Sequence, residues 1–278
     1  MAVLGKPVAH SLSPALHRAA YEHLGMTDWS YNACECDAAD LSELLAGLGP
    51  TWRGLSLTMP LKEEALLLAN TSSMLVRQTG AVNTLVREPG GWVGENTDVV
   101  GIRNALLDAG VADRGPIDKA VLVGSGATAR SALAAVTELG VRQVLFVVRD
   151  CARAFTLAQA RDYGLLTEVM GVTEGAKWCL ETPLLINTTP ATAADGLADA
   201  IAYVAADAGG LSPLRVLLDV VYTKWPTRLA SVLASSGATV VPGVAMLIHQ
   251  AAAQFELMTG QSAPLRVMQA VGRAAVGS

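Results

Sequence analysis

Ala120-Val121-Leu122-Val123-Gly124-Ser125-Gly126-Ala127-Thr128-Ala129 is the stretch that decides the fold of this chain. Its four leading apolar residues read as a buried strand, Gly-x-Gly-x-x-Ala as a tight turn, and the run from Ala127 to Leu139 as a helix stopped by Gly140. In that context each small residue has a task. Gly124 permits the turn, Gly126 removes a side chain where a pyrophosphate approaches, and Ala129 lets the helix pack closely. The helix N-terminus adds amide donors and a positive dipole end. Gly124, Ser125, Gly126 and Ala127 are therefore candidate dinucleotide-binding residues, and Arg130, directly after Ala129, reads as either a surface or a structural helix residue.

Downstream the pattern repeats. A strand at Val144 to Val148 and a helix at Ala152 to Tyr163 complete a βαβ unit, and further strands at Leu184 to Ile186, Arg215 to Val220 and Thr239 to Val241 alternate with helical stretches. The Ala/Gly/Asp-rich segment from Ala191 to Gly210 keeps helical periodicity. A doubly wound parallel sheet of about six strands is the economical reading. The second strand of that sheet runs into Val148-Arg149-Asp150-Cys151-Ala152-Arg153. A carboxylate there accepts the ribose hydroxyls of NAD, whereas guanidinium groups grip the 2′-phosphate of NADP. Arg149 and Arg153 favour NADP, with NAD still possible, and Asp150 serves either the ribose or the cap of the following helix.

Upstream, Ala2 to Leu4 reads as a strand, Ser13 as a cap followed by Pro14 in the first turn, and Ala15 to Leu24 as a helix. Trp29 to Cys36 reads as a second strand, Asp37 as the cap of a helix from Ala38 to about Leu48, and Gly54 to Leu57 as a third strand. Glu63 to Ala69 is helical; Ala81 to Val86, Gly90-Gly91 and Trp92-Val93 form strand, turn and strand. A helix from Val99 to Ala109 leads to Gly110–Asp118, the best linker candidate. After Pro242-Gly243 come helices from Val244 to Met258 and from Pro264 to about Val276, expected to pack back on the first domain. The fold class is α/β: an N-terminal α/β substrate domain (1–98 plus about 243–278) and a C-terminal Rossmann doubly wound parallel sheet (99–242).

Composition narrows the function. With 278 residues and 51% hydrophobic content the chain is long enough for two buried cores, and 5% aromatics suits helices on a parallel sheet. A net charge of -5 and a pI near 5.4 provide no basic field for nucleic acid, so a small-molecule partner is expected. Cys34, Cys36, Cys151 and Cys179 lack zinc-ligand spacing and read as free buried thiols of a reducing, cytoplasmic compartment. The N-terminus carries no signal-like segment and no apolar stretch is long enough to span a membrane. His10, His17, His23 and His249 form no metal pattern and read as surface or helix-face residues.

Two segments ahead of the glycine turn carry chemistry-bearing residues: Leu57-Thr58-Met59-Pro60-Leu61-Lys62 and Glu95-Asn96-Thr97-Asp98. Read locally, Lys62 opens a helix whose Glu63 and Glu64 suit its first turn. These segments fall in one order with Gly5 to Pro14 (including Ser11-Leu12-Ser13-Pro14), Gly80-Ala81-Val82-Asn83-Thr84, the glycine turn, Asn187-Thr188-Thr189-Pro190, Asp219-Val220-Val221-Tyr222, and Gly243 with Met246-Leu247 and Gln250. In this the chain resembles the shikimate dehydrogenase family nearly end to end.

The resemblance implies reversible, NADP-linked reduction of 3-dehydroshikimate in aromatic amino-acid biosynthesis, by a monomer or homodimer. It implies that Ser11 and Ser13 bind the substrate carboxylate, their local alternative being helix capping. Thr58, Asn83, Asp98 and Gln250 would bind ring hydroxyls, Tyr222 would lie near substrate and nicotinamide, and Gly243 falls on the cofactor side. Lys62 and Asp98 are assigned jointly to proton transfer, because a ketone accepting hydride needs a proton donor within reach and the reverse reaction needs a base there. The sequence departs from the family at Ser56, where many members carry asparagine, and at Ala191-Thr192-Ala193-Ala194-Asp195-Gly196. A quinate or aminoshikimate dehydrogenase of the same family, or a non-catalytic sensor on the same fold, are the alternatives.

Overall fold

The computed structural model describes residues 1–207 and 216–277, so Arg215 of the expected strand and the last residues of the 191–210 stretch lie outside the described residues. The chain divides into two compact units, Met1–Gly101 with Leu247–Ser278, and Ile102–Met246. The divisions fall inside helices Asp98–Asp108 and Gly243–Thr259. Gly110–Asp118, read as a linker, lies within the second unit and contains a 3₁₀ turn at Ala112–Arg114.

The first unit is built on strands β1 (Ala2–Gly5), β2 (Asn32–Glu35), β3 (Gly54–Leu57), β4 (Thr71–Ser72), β5 (Thr84–Glu88) and β6 (Gly91–Glu95), in the order β2-β1-β3-β5-β6-β4. β1 runs parallel to both β2 and β3, whereas β5 is antiparallel to β3 and β6. Its core joins Leu4, Leu55, Leu57 and Leu85 of the strands to Leu41 and Leu61 of the helices.

Several boundaries differ from the sequence reading. β2 is shorter than Trp29–Cys36 because it is an edge strand on a β1 only 4 residues long. Asp37 is not a side-chain cap; its carboxylate accepts from Lys6 Nζ at 2.6 Å, and a 3₁₀ turn at Ala38–Asp40 precedes the helix Leu41–Gly47. Ser13 is the first residue of the helix Ser13–His23, not its cap, and the hydroxyl that accepts an amide there is that of Ser11, from Ser13 N at 3.3 Å. β4 and the six-residue helix Met74–Thr79, which Ser73 caps by accepting from Val76 N, were not anticipated.

The second unit holds β7 (Lys119–Val123), β8 (Gln143–Val147), β9 (Leu166–Met170), β10 (Leu184–Asn187), β11 (Val216–Asp219) and β12 (Thr239–Pro242), ordered β12-β11-β10-β7-β8-β9. Every pairing is parallel. This is the Rossmann order, with its reversal between β7 and β10, and ligands of such sheets bind at the carboxyl ends of the strands beside that reversal. Val121, Leu145, Leu185 and Leu217 bury one sheet face against helix residues such as Leu197 and Leu233.

The cysteines are free, but only Cys36 and Cys179 are buried; Cys34 is half-buried and Cys151 exposed. His17 is not a surface residue but 0% exposed. No helix among the described residues is long and apolar enough to cross a membrane.

Candidate active site

Lys62 stands in the first turn of the helix Leu61–Leu68, directly after β3, and its carbonyl accepts from Val82 N at 2.8 Å. Asp98 opens the helix Asp98–Asp108, where its backbone N–H donates to Asn96 Oδ1 at 3.1 Å. Lys62 Nζ donates to Asp98 Oδ2 at 2.5 Å, with side chains 15% and 6% exposed. A charge-assisted hydrogen bond in such shelter is strong and directional, and its ammonium remains within reach of small molecules.

The other carboxylate oxygen, Asp98 Oδ1, accepts from Asn83 Nδ2 at 2.8 Å. The orientation of that amide follows from chemistry: Thr97 N, which can only donate, lies 2.8 Å from Asn83 Oδ1, so the Asn83 nitrogen must face Asp98. Asn83 Nδ2 also donates to Gln250 Oε1 at 3.3 Å, and Gln250 Nε2 donates to Leu247 O at 3.0 Å. Asn83, Thr97 and Gln250 are all buried. Of the residues named from sequence, Lys62, Asp98, Asn83 and Gln250 are thus brought into one hydrogen-bonded group. Thr58 lies at the end of β3 with its backbone N–H donating to Leu4 O and its carbonyl accepting from Leu61 N.

Sequence reading missed part of this group. Gln254, Ser56, Thr84 and Tyr31 lie behind Asn83, joined to it by buried hydrogen bonds. The signal for Gln254 was its spacing from Gln250, one helical turn on, which puts both amides on one face of Gly243–Thr259.

In the second unit Gly124 has φ of 97°, and a side chain there would press on Thr188 Oγ1 and Thr189 Cγ2, each 2.9 Å from an ideal Cβ. Thr188 Oγ1 itself donates to Val123 O at 2.7 Å, tying the end of β10 to the end of β7. Gly126 differs: it caps the helix Ala127–Glu138 with φ of -84°, which any residue adopts, and no atom lies within 4 Å of its would-be Cβ. Nothing in the protein demands a glycine at 126, so the space in front of it suits an approaching phosphate. The donors there are the first amides of the helix, which have no intrahelical partner.

Ser125 Oγ accepts from Arg153 N at 3.1 Å, and Thr156 Oγ1 donates to Ser125 O at 2.8 Å, so the glycine turn is fastened to the segment after β8. Arg149 and Asp150 are exposed. Asp150 does not cap the next helix, Ala154–Asp162, whose N-cap is Arg153. Arg130 is 2% exposed, with its guanidinium 5.1 Å from the Phe155 ring centroid, which removes the surface reading. Gly243 has a packing reason of its own, because a Cβ there would overlap the Val220 carbonyl. Tyr222 is half-buried just after β11. Nearby Asp219 is fully buried and accepts from Asn187 Nδ2, Val221 N and Thr227 Oγ1; burial pushes its carboxyl above the usual range.

Comparison with known proteins adds the relatives. The family described as shikimate dehydrogenase substrate binding domain matches residues 3–85, and that described as shikimate 5'-dehydrogenase C-terminal domain matches residues 243–271. A shikimate dehydrogenase (NADP(+)) of Methanosarcina acetivorans is 38% identical over 273 residues, spanning 96% of this chain and 95% of its own. The crystal structure of Mycobacterium tuberculosis shikimate dehydrogenase is similar with a TM-score of 0.82 and 38% identity, covering 98% of each chain. Shikimate 5-dehydrogenase of Thermus thermophilus, in complex with NADP(H) and shikimate, has a TM-score of 0.82 and 32% identity over 99% of this chain and 98% of its own.

Proposed function

The chain belongs to the shikimate dehydrogenase family, and from that premise we propose that it interconverts 3-dehydroshikimate and shikimate with NADP, in the biosynthesis of aromatic amino acids. The observation that carries the reading is the sheltered Lys62–Asp98 pair, held at 2.5 Å with Asn83 bound to the free side of the carboxylate. Lys62 and Asp98 together hold and move the proton at the substrate oxygen that alternates between carbonyl and hydroxyl. A group already oriented at that oxygen contributes roughly 10²–10⁴-fold to the rate. Asn83, Gln250 and Thr58 hold the ring hydroxyls with uncharged donors and acceptors, which orient a polyol without ionising it. Ser11 and Ser13, at the start of the helix Ser13–His23, take the substrate carboxylate, and Tyr222 lines the nicotinamide side.

NADP, when bound, supplies and takes back the hydride. The turn Gly124, Ser125, Gly126 and Ala127 would hold its pyrophosphate, Arg149 and Arg153 its 2′-phosphate, and Gly243 would border the same site. The assignment of substrate to residues 1–98 with 243–278, and of cofactor to 99–242, belongs to the same proposal. So does a cytoplasmic enzyme acting as monomer or homodimer.

The test is the appearance of reduced nicotinamide on mixing the protein with shikimate and NADP, repeated with NAD and with quinate. Turnover is expected with shikimate and NADP and should fall roughly 10²–10⁴-fold in a folded Lys62→Ala variant. Turnover faster with quinate would replace shikimate as the substrate, and undiminished turnover in Lys62→Ala would remove Lys62 from the mechanism.

A further inference from the structure

Behind the Lys62–Asp98 pair the first unit buries a line of polar side chains that touches none of the groups proposed to move the proton. Gln254 is 1% exposed, Thr84 and Tyr31 are 0% and Ser56 is 3%. Gln254 Nε2 donates to the Asn83 carbonyl at 3.1 Å and to Thr84 Oγ1 at 2.9 Å. Because a main-chain carbonyl only accepts, the nitrogen of the Gln254 amide must face Asn83 and its oxygen must face Ser56, whose hydroxyl donates to it at 2.7 Å. Ser56 in turn accepts from the Tyr31 hydroxyl at 2.5 Å.

Thr84, having accepted from Gln254, donates its own proton to Asn83 Oδ1 at 2.8 Å. Asn83 Oδ1 is thereby held by Thr84 and by Thr97 N, and its nitrogen faces Asp98, Thr97 Oγ1 and Gln250. Main-chain groups at Asn83 and Thr97 fix the sense of the donors, which run from Tyr31 through Ser56, Gln254 and Thr84 to Asn83 and then to Asp98. Burying an amide and hydroxyls is costly unless each is satisfied, and a leucine of similar size would fill the same volume without that requirement.

We propose that Gln254 is a positioning residue for the acid–base pair: through Thr84 and the Asn83 main chain it fixes the Asn83 amide, which holds the Asp98 carboxylate in register with Lys62. The inference rests on the reaction proposed above. Small displacements of a catalytic group cost up to about a hundredfold in rate. Gln254→Leu and Thr84→Val are therefore expected to lower kcat by about tenfold or more and to raise the solvent isotope effect on kcat, with the KM for NADP changed by less than about twofold. Thr84→Ser, which keeps the hydroxyl, should stay within about twofold of the parent.

The same proteins are followed by hydrogen exchange of the Asn83 side-chain amide in nitrogen-15 spectra without substrate. Exchange should quicken about tenfold or more in Gln254→Leu and Thr84→Val, and not in Thr84→Ser. Turnover within about twofold of the parent in a folded Gln254→Leu, or unchanged amide exchange, overturns the proposal. If Gln254→Leu does not fold, the Thr84 pair decides alone. If the parent does not oxidise shikimate, the functional reading fails, and amide exchange still decides whether Gln254 holds Asn83.

Discussion

His17 lies with its ring stacked on Tyr31, centroids 4.1 Å apart and planes within 11°, and with Tyr21 and Phe255 at 6.2 Å. Full burial, reinforced by the positive N-terminus, lowers its pKa from 6.5 to about 3. The unfolded chain therefore takes up a proton below about 6.5 that the folded chain refuses until about 3, so stability is complete above that window and is lost as pH falls through it. The slope contributed by one such group is at most about 1.4 kcal/mol per pH unit. The α-amino group of Met1, lowered by burial, acts in the same direction from its ordinary value of 8.0 downward. Urea unfolding at pH 7 and pH 5 should show a smaller loss in His17→Phe than in the parent; an equal loss would exonerate the imidazole.

The two glycines of the dinucleotide turn make a second residue-scale contrast. Gly124→Ala meets both a positive φ and the Thr188 and Thr189 side chains, and should cost about 1–3 kcal/mol of stability. Gly126→Ala meets open space in an ordinary conformation and should unfold like the parent while raising the KM for NADP. Denaturation midpoints together with NADP titration separate the two, and equal midpoints would contradict the assignment. Both glycines belong to one visible motif. Which is demanded by the chain itself depended on Thr188, 64 residues from Gly124, because neighbouring strands bring them together.

At the scale of elements, the helix Arg228–Ser235 shows how a cap can join two structures. Thr227 Oγ1 accepts from Ala230 N at 3.0 Å and donates to Asp219 Oδ2 at 2.6 Å, so one hydroxyl caps the start of the helix and satisfies a carboxylate at the end of β11. Thr227→Ala should lose about 1 kcal/mol for the cap and a further 1–3 kcal/mol for the unsatisfied buried acceptor. Thr227→Ser should recover most of it in the same urea measurement, and a loss confined to the cap would show that Asp219 finds another donor.

The elements that escaped sequence reading have a common character. β4 is two residues long, Met74–Thr79 is six, and β9 is an edge strand exposed along nearly its whole length. None offers a period of apolar residues, which is the signal that reveals long helices and buried strands. β1, β7, β8, β10 and β11 were legible because they are buried on both faces and read as largely continuous apolar runs, and β3 because Leu55 and Leu57 flank its one buried polar residue, Ser56.

For the molecule as a whole, a ligand that binds only the folded chain adds its binding free energy to stability, about 2.7 kcal/mol at a hundredfold excess over Kd. NADP should therefore raise the thermal midpoint, and NAD at the same concentration should raise it less. Arg149→Ala should erase that difference by weakening NADP about tenfold while leaving NAD unchanged, since a guanidinium paired with a phosphate contributes on the order of 1.5–3 kcal/mol. An Arg149→Ala protein that still prefers NADP would shift the 2′-phosphate to other residues.

The sequence by itself determined the alternation of strands and helices, the glycine turn between β7 and its helix, and the identity of the lysine, aspartate, asparagine and glutamine that carry the proposed chemistry. The alternation and the turn follow from local physics, because burial sets the period of apolar residues and a tight turn restricts which residues stand in it. The four chemistry-bearing residues were singled out by the family resemblance, since read locally Lys62 only opens a helix. Tertiary structure alone decided that Asp98 meets Lys62 through one oxygen and Asn83 through the other. It also decided that Gln254, 171 residues from Asn83, donates to the Asn83 main-chain carbonyl while Thr97 N donates to the Asn83 amide oxygen. Hydrogen-bond direction depends on which donor faces which acceptor across the core, and chain order does not encode that until the strands and the helix Gly243–Thr259 are packed together.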